Sequence, residues 1–223
     1  GPAGAGKSTV TKSFAKKLGL VYLDTGAMYR AVTWLIHTRG IDPNNKQKVA
    51  ENLKELNLQL ELCKTGEQEV FVNGQNVSKA IRSPEITAKV SLIASQSSVR
   101  EIMMAQQKEI GLKGGLVAEG RDIGTAVFPD AELKVFLTAS AKERAKRRAI
   151  DLKNQGFFVP DLIQLEDEIK ERDRMDSTRE ISPLRKANDA KELITDGMNI
   201  EEVVQSLINM FRLKVAEEIW PTP

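Results

Sequence analysis

The residues with the plainest chemistry open the chain: Gly1-Pro2-Ala3-Gly4-Ala5-Gly6-Lys7-Ser8-Thr9. The spacing G-x-x-x-x-G-K-[ST] suits one task. Glycines let successive backbone N–H groups curl around a phosphate, and a following helix offers its positive N-terminal end to the same anion. Lys7 is placed to bridge the β- and γ-phosphates, and the Ser8 hydroxyl to ligate Mg2+. The stretch Gly1 to Thr9 therefore predicts a nucleoside triphosphate site. The competing reading is a Gly-rich turn with no ligand. Neither reading selects a reaction.

Arginines supply the second chemistry. Asp24-Thr25-Gly26 follows a short apolar run and opens a helix bearing Tyr29 and Arg30. Arg121-Asp122 follows a run that ends at Glu119. Both lie at strand ends, the rim where α/β proteins bind ligands. Arg144, Arg147 and Arg148 recur at i, i+3, i+4, one cationic face of a helix. Arg172, Arg174 and Arg179 lie in and just after another charged helix. A lone arginine is more often solvated surface. In combination these fit phosphoryl transfer, which rewards bidentate guanidinium contacts to two anionic substrates. A GTPase would need Asn-Lys-x-Asp, but Asn45-Lys46 is followed by Gln47 and Lys48. The Ser-Gly-Gly signature of transporter ATPases is absent as well. A small-molecule kinase remains, against a nucleotide-binding regulatory domain without catalysis.

These groups need a frame. Val10 to Lys17 reads as the helix after the loop, stopped by Gly19. Leu20 to Leu23 reads as a strand, Gly26 to about Arg39 and Lys46 to Leu56 as helices. The period then changes: Leu58, Leu60 and Leu62 alternate with polar residues, Val70 to Val72 is β-rich, and Asn73-Gly74 marks a tight turn. Leu58 to Val77 is thus an expected antiparallel insert, with Cys63 packed in its strand. Helices follow from Pro84 to Lys113 with a break near Ser97, then a strand at Leu116 to Glu119 and another at Leu133 to Leu137. Lys142 to Gln155 and Asp161 to Met175 read as helices, and Leu193-Ile194 as a last strand. Asn199 caps a helix presenting Ile200, Val203, Val204, Leu207, Ile208 and Phe211 on one face. Strands alternating with helices imply a parallel sheet covered on both faces.

At 223 residues, 41% hydrophobic and 29% charged, the chain fits one globular domain. The net charge of +2 gives no nucleic-acid footprint. One Cys and one His (Cys63, His37) exclude an internal disulfide and a Cys/His metal site. No apolar run is long enough to span a membrane and no signal peptide is seen, so a cytoplasmic location is expected. A P-loop joins a strand to a helix, and here no strand precedes it. A longer parent chain is the expectation.

Taken together these segments resemble a bacterial cytidylate (CMP) kinase, of the nucleoside monophosphate kinase family. The matching stretches are GPAGAGKST at Gly1, DTGAMYRA at Asp24, SSVRE around Arg100, EGRDIGT at Glu119, FPDAELKVFL at Phe128, ERAKRR at Glu143, EIKERD at Glu168 and DSTREISPL at Asp176. The resemblance implies a three-layer P-loop fold over residues 1–223, with a β-containing monophosphate-binding insert at about 27–113 and a helical lid at about 141–175. It implies transfer of the ATP γ-phosphoryl group to CMP or dCMP, with Mg2+, in line and without a covalent intermediate. ATP would be held by Gly1 to Thr9 and by Arg144. Thr25, Ser91, Arg100 and Asp122 would surround the nucleoside, and Asp122 is a chemically sensible reader of the cytosine amino group. Tyr29 and Arg30 would line the monophosphate side. Arg121, Arg172 and Arg148, with Lys7, would carry catalysis, and Asp176 and Arg179 would reach the sugar and base. Glu119 stands where Asp is more usual, with a water-mediated Mg2+ contact as its expected role. The family also occurs fused behind a pantoate-activating ligase. A monomer that binds neither nucleic acid nor membrane is expected; a kinase for UMP or AMP is the near alternative.

Overall fold

The computed structural model describes residues 1–63 and 68–216. In chain order the elements are α1 (Lys7–Leu18), β1 (Val21–Asp24), α2 (Thr25–Thr38), α3 (Lys46–Leu53), β2 (Leu58–Leu62), β3 (Gln68–Val72), β4 (Gln75–Asn76), α4 (Pro84–Ala94), α5 (Ser97–Gly111) and β5 (Leu116–Glu119). Then come β6 (Val135–Thr138), α6 (Ala141–Asn154), α7 (Leu162–Thr178), β7 (Lys191–Ile194) and α8 (Ile200–Lys214). The alternation of strand and helix is that of an α/β protein. The chain divides into two compact units, Tyr22–Gly120 and a second made of Gly1–Val21 with Arg121–Pro223.

The unit Tyr22–Gly120 is organised around α2. Asp24 ends β1 and caps the helix, accepting from Ala27 N–H at 2.9 Å. That bond satisfies one of the four donors a helix start leaves unpaired. Ala27, Met28, Ala31, Val32, Leu35 and Ile36 are buried, and α4 packs against them through Val90 and Ile93. β1 is hydrogen-bonded to β5. The insert forms as expected: β2, β3 and β4 make a three-stranded sheet with antiparallel pairings. Asn73 and Gly74 turn it with φ of 51° and 80°, the double positive φ of a type I′ hairpin. Val70 and Val72 point to the core. Residues 64–67, inside the expected insert, lie outside the described residues.

In the other unit β6 and β7 run parallel, with Leu137 opposite Leu193. α1 packs on α8, where the Phe14 and Phe211 rings meet edge-on at 5.9 Å. Asn199 and Glu202 cap α8 reciprocally, each satisfying an otherwise unpaired N–H. α6 and α7 pair through Ala145, Leu152, Leu165 and Ile169.

Several expectations shift. Ile200 does not join the apolar face of α8; at the first helical position it is 54% exposed. Cys63 lies just past β2 rather than in it. α3 stops at Leu53, three residues early. α7 runs on to Thr178, because Leu165, Ile169 and Asp176 keep one face inward beyond Met175. β1 pairs with β5 and β6 with β7, the latter in parallel.

Candidate active site

The first turn of the P-loop is built as its glycines require. Gly4 and Gly6 have φ of 70° and 80°, a region that costs a residue with a Cβ about 1–2 kcal/mol. Gly6 ends the loop in that conformation immediately before α1. The N–H groups of the first turn of α1 thus face out of the helix start, with the dipole behind them. Lys7 Nζ lies 2.6 Å from Pro2 O, folded over the loop. Ser8 follows on the first turn, half-buried.

α6 and α7 hold that loop from behind. Arg144 is buried, and its guanidinium donates to Ala139 O (Nε, 2.8 Å), to Ala3 O (Nη1, 2.9 Å) and to the Asp173 carboxylate. Asp173 Oδ1 in turn accepts from Ala3 N–H at 3.0 Å. Arg147 donates to Thr195 O at 2.6 Å and to Thr195 Oγ1 at 2.8 Å, and reaches Ala5 O at 3.4 Å. The expected cationic face of α6 therefore exists, but two of its three arginines are engaged with protein.

The third, Arg148, joins a cluster. Arg172 on α7 is the centre of it: burial lowers its guanidinium to about 10, and the neighbouring charges of Arg121 and Arg148 push the same way against Asp176 and Asp173. Its Nε is buried with no hydrogen-bond partner among the described residues. Burial also lowers Arg148, against Asp151 and Glu168. Arg121, from the segment after β5, donates from Nε to Asp176 Oδ2 at 2.9 Å. Burial alone would raise the Asp176 carboxyl; Arg121 and Arg172 outweigh it and hold the group below the usual carboxylate range. Three guanidiniums thus converge in a partly desolvated cluster, and such a cluster is suited to receive a polyanion. Next in sequence, Asp122 Oδ1 meets Arg179 Nη2 at 3.3 Å, and Arg179 also donates to Ser182 O. Asp122 is buried.

The unit Tyr22–Gly120 holds the remaining candidates. Arg100 is 1% exposed; it donates to Ala94 O at 3.1 Å, with its guanidinium carbon 5.4 Å from the Tyr29 ring centroid. Ser91 is buried one turn from the end of α4. Arg30 donates to Thr87 Oγ1 at 2.6 Å and to Ile81 O at 3.2 Å. Thr25 Oγ1 donates to Glu119 O at 2.6 Å, and Tyr22 OH to Glu119 Oε1 at 2.5 Å. Glu119 is therefore a buried, hydrogen-bonded carboxylate.

Three residues of these networks carry no role in the sequence reading. Asp173 stands between Arg172 and Arg174 on a charged helix, where only the facing loop distinguishes it. Tyr22 looks like core in an apolar strand. Arg82 reaches Asp24 Oδ2 at 3.4 Å from a short 3-10 turn. A weak signal for Asp173 exists in the spacing, since 173 and 176 share a helix face.

A glycine-turned loop at a helix start, backed by a converging set of arginines, defines a nucleotide-dependent phosphotransferase of the P-loop class. The chain belongs to the cytidylate kinase family, whose model matches residues 1–213. The activity of that family is ATP-dependent phosphorylation of CMP. Among curated relatives, the chain is 68% identical over its full length to a bifunctional pantoate ligase/cytidylate kinase of Prochlorococcus marinus, covering 43% of that protein. It is 64% identical to the protein of that name in Prochlorococcus marinus (strain MIT 9303), covering 46% of it. A Synechococcus sp. (strain CC9902) protein of the same name is 60% identical and 46% covered. The chain thus spans less than half the length of these relatives.

Proposed function

We propose that this chain transfers the γ-phosphoryl group of ATP directly and in line to CMP or dCMP, giving ADP and CDP or dCDP. The observation that carries the reading is a cationic cluster in the same unit as the P-loop, in which Arg121 bonds Asp176 Oδ2 at 2.9 Å on the helix that also bears Arg172. Gly1 to Thr9 take the ATP phosphates, and Lys7 turns from Pro2 O to the β- and γ-oxygens. The arginine cluster neutralises charge on the group in transfer. The acceptor phosphate is already an anion, so positioning and electrostatics carry the rate and no general base is needed.

On the acceptor side we assign Thr25, Ser91, Arg100 and Asp122 to the nucleoside, Tyr29 and Arg30 to the monophosphate side, and Asp176 and Arg179 to the sugar and base. Arg100 and Ser91 are both buried, Arg100 beside the Tyr29 ring, so they bring polar groups to the interior of the unit that carries Thr25 and Arg30. Asp122, held by Arg179, would accept from the cytosine amino group. Arg144, with its donors on Ala139, Ala3 and Asp173, would serve ATP through the loop.

Mg2+ fits these residues. Among the described residues no group of three or more His, Cys, Asp or Glu could hold a metal ion, so the cation would arrive with the nucleotide and take one protein ligand, the Ser8 hydroxyl, as Mg2+ commonly does. Held there by Ser8, the cation would supply charge neutralisation to the phosphates. Glu119 would reach it through water, with Tyr22 OH fixing the carboxylate. We take the acting form to be a monomer. We place the enzyme in the cytoplasm with its nucleotides, as the kinase part of a two-enzyme chain like its relatives.

An ADP-release assay over CMP, dCMP, UMP and AMP tests the reading. Turnover on CMP or dCMP is expected, and ATP binding with no turnover on any of the four would overturn it.

A further inference from the structure

We infer that Asp173 and Arg144 form a positioning pair for the triphosphate loop, clamping the Ala3 peptide groups from the side opposite the phosphates. The inference rests on Gly1 to Thr9 being the ATP site. Ala3 is tied at both ends: its N–H donates to Asp173 Oδ1 at 3.0 Å and its C=O accepts from Arg144 Nη1 at 2.9 Å. Arg144 and Asp173 are also paired to each other, and Arg144 Nε is anchored on Ala139 O. The result is a closed ring of charge-assisted bonds about one residue of the loop.

The location of the ring gives it a function. Ala3 directly precedes Gly4, at φ 70°, and Gly6 follows at φ 80°. A loop with two left-handed glycines in three residues has many accessible shapes, because glycine meets little steric resistance in any of them. Only one shape aims several N–H groups at a common anion. Holding a carbonyl from behind fixes the direction of the next peptide. Arg144 does so at Ala3, and Arg147 at Ala5 O, 3.4 Å away. α6 approaches so closely that a Cβ on Gly4 would sit 3.3 Å from Arg144 Cβ and 3.4 Å from Arg144 O. The loop and the two helices are therefore fitted to one another, and the pair lowers the entropy that ATP binding would otherwise have to remove.

Neither residue needs to touch ATP for this. Asp173 Oδ1 holds Ala3 N–H and Oδ2 holds the Arg144 guanidinium, so both carboxylate oxygens are taken up by the loop and α6.

The test is ATP affinity, measured by titration calorimetry with MgATP alone, together with steady-state constants for ATP and CMP, on Asp173→Ala and Asp173→Asn. Asp173→Ala is expected to weaken ATP binding about tenfold, or about 1.4 kcal/mol, with KM for CMP within about twofold of the parent. Asp173→Asn keeps an oxygen for Ala3 N–H but withdraws the charge from Arg144, and is expected to recover part of the loss. Folded Asp173→Ala with parental ATP affinity overturns the inference. So does an equal loss in ATP and CMP constants with a lowered melting temperature, which would mark a strut between α6 and α7. If Asp173→Ala does not fold, Asp173→Asn carries the same test: parental ATP affinity overturns, and a selective ATP loss supports. Calorimetry without CMP keeps the result separate from acceptor identity, since failure on CMP by the parent protein would sink the proposed reaction and leave the clamp standing.

Discussion

Arg121 Nε donates to Asp176 Oδ2 at 2.9 Å, and this bond sets the electrostatics around it. Asp176 is 3% exposed, yet Arg121 and Arg172 hold its carboxyl below the ordinary value despite the opposing effect of burial. A carboxyl with a depressed folded-state pKa adds stability above its unfolded value, and that stability drains away as pH falls through the folded value. Melting temperature should therefore be flat near neutrality and fall once pH drops below about 4, the unfolded Asp value. Asp176→Asn should flatten that acid limb and cost about 3 kcal/mol at neutral pH, as expected for removing one partner of a buried ion pair. Thermal melts across the acid range measure both.

Arg172 behaves in the opposite sense. Its guanidinium, lowered to about 10 by burial and by Arg121, is a cation the fold disfavours. The penalty is present at neutral pH and relaxes only as pH rises through about 10. Arg172→Met should then raise the melting temperature of the nucleotide-free protein, by a stability gain on the order of 1 kcal/mol. The same substitution should lower kcat by about 10²–10³-fold, the usual cost of removing a preorganised electrostatic donor. Loss of both stability and activity would count against a site held charged for an anion.

The P-loop glycines allow a paired comparison. Gly6 (φ 80°) and Gly40 (φ 64°) both sit in the left-handed region, and Gly40 has no heavy atom within 4 Å of an added Cβ. Each Gly→Ala change should cost about 1–2 kcal/mol of stability through backbone strain alone. Gly6→Ala should also weaken ATP binding, and Gly40→Ala should leave it unchanged. Calorimetry on the two variants separates strain from function.

Lys7 is expected to matter in the transition state more than in binding. Lys7→Met should reduce kcat by at least about 10²-fold with a smaller change in KM for ATP. A variant retaining most of the parental turnover would rule out the role assigned to it.

How much of this was readable beforehand depended on range along the chain. The P-loop is legible because its chemistry is local: Gly4, Gly6, Lys7 and Ser8 act within one turn. The hairpin at Asn73-Gly74 and the cap at Asn199 are local in the same way. Arg121, Arg148 and Arg172 could be named as candidates from spacing, but their convergence could not, since it joins α6, α7 and the segment after β5. Arg144 shows the limit most clearly. Periodicity puts it on a cationic face with Arg147 and Arg148, whereas the tertiary fold buries it under Ala3 with Asp173 as its counter-ion. Asp173 shares a helix face with Asp176, but nothing local names its partner. Its meaning comes from a residue 170 positions away in sequence. Ile200 failed for a simpler reason: the first position of a helix lies at the rim of the packed face, so periodicity alone overstates its burial.

The most direct measurement is ADP release by the purified protein with MgATP and each of CMP, dCMP, UMP and AMP. Turnover on CMP or dCMP is expected with kcat/KM at least about tenfold above UMP and AMP, the discrimination one base-reading contact such as Asp122 supplies at about 1–3 kcal/mol. Equal or greater turnover on UMP or AMP, or none on the cytidine nucleotides, would contradict this expectation.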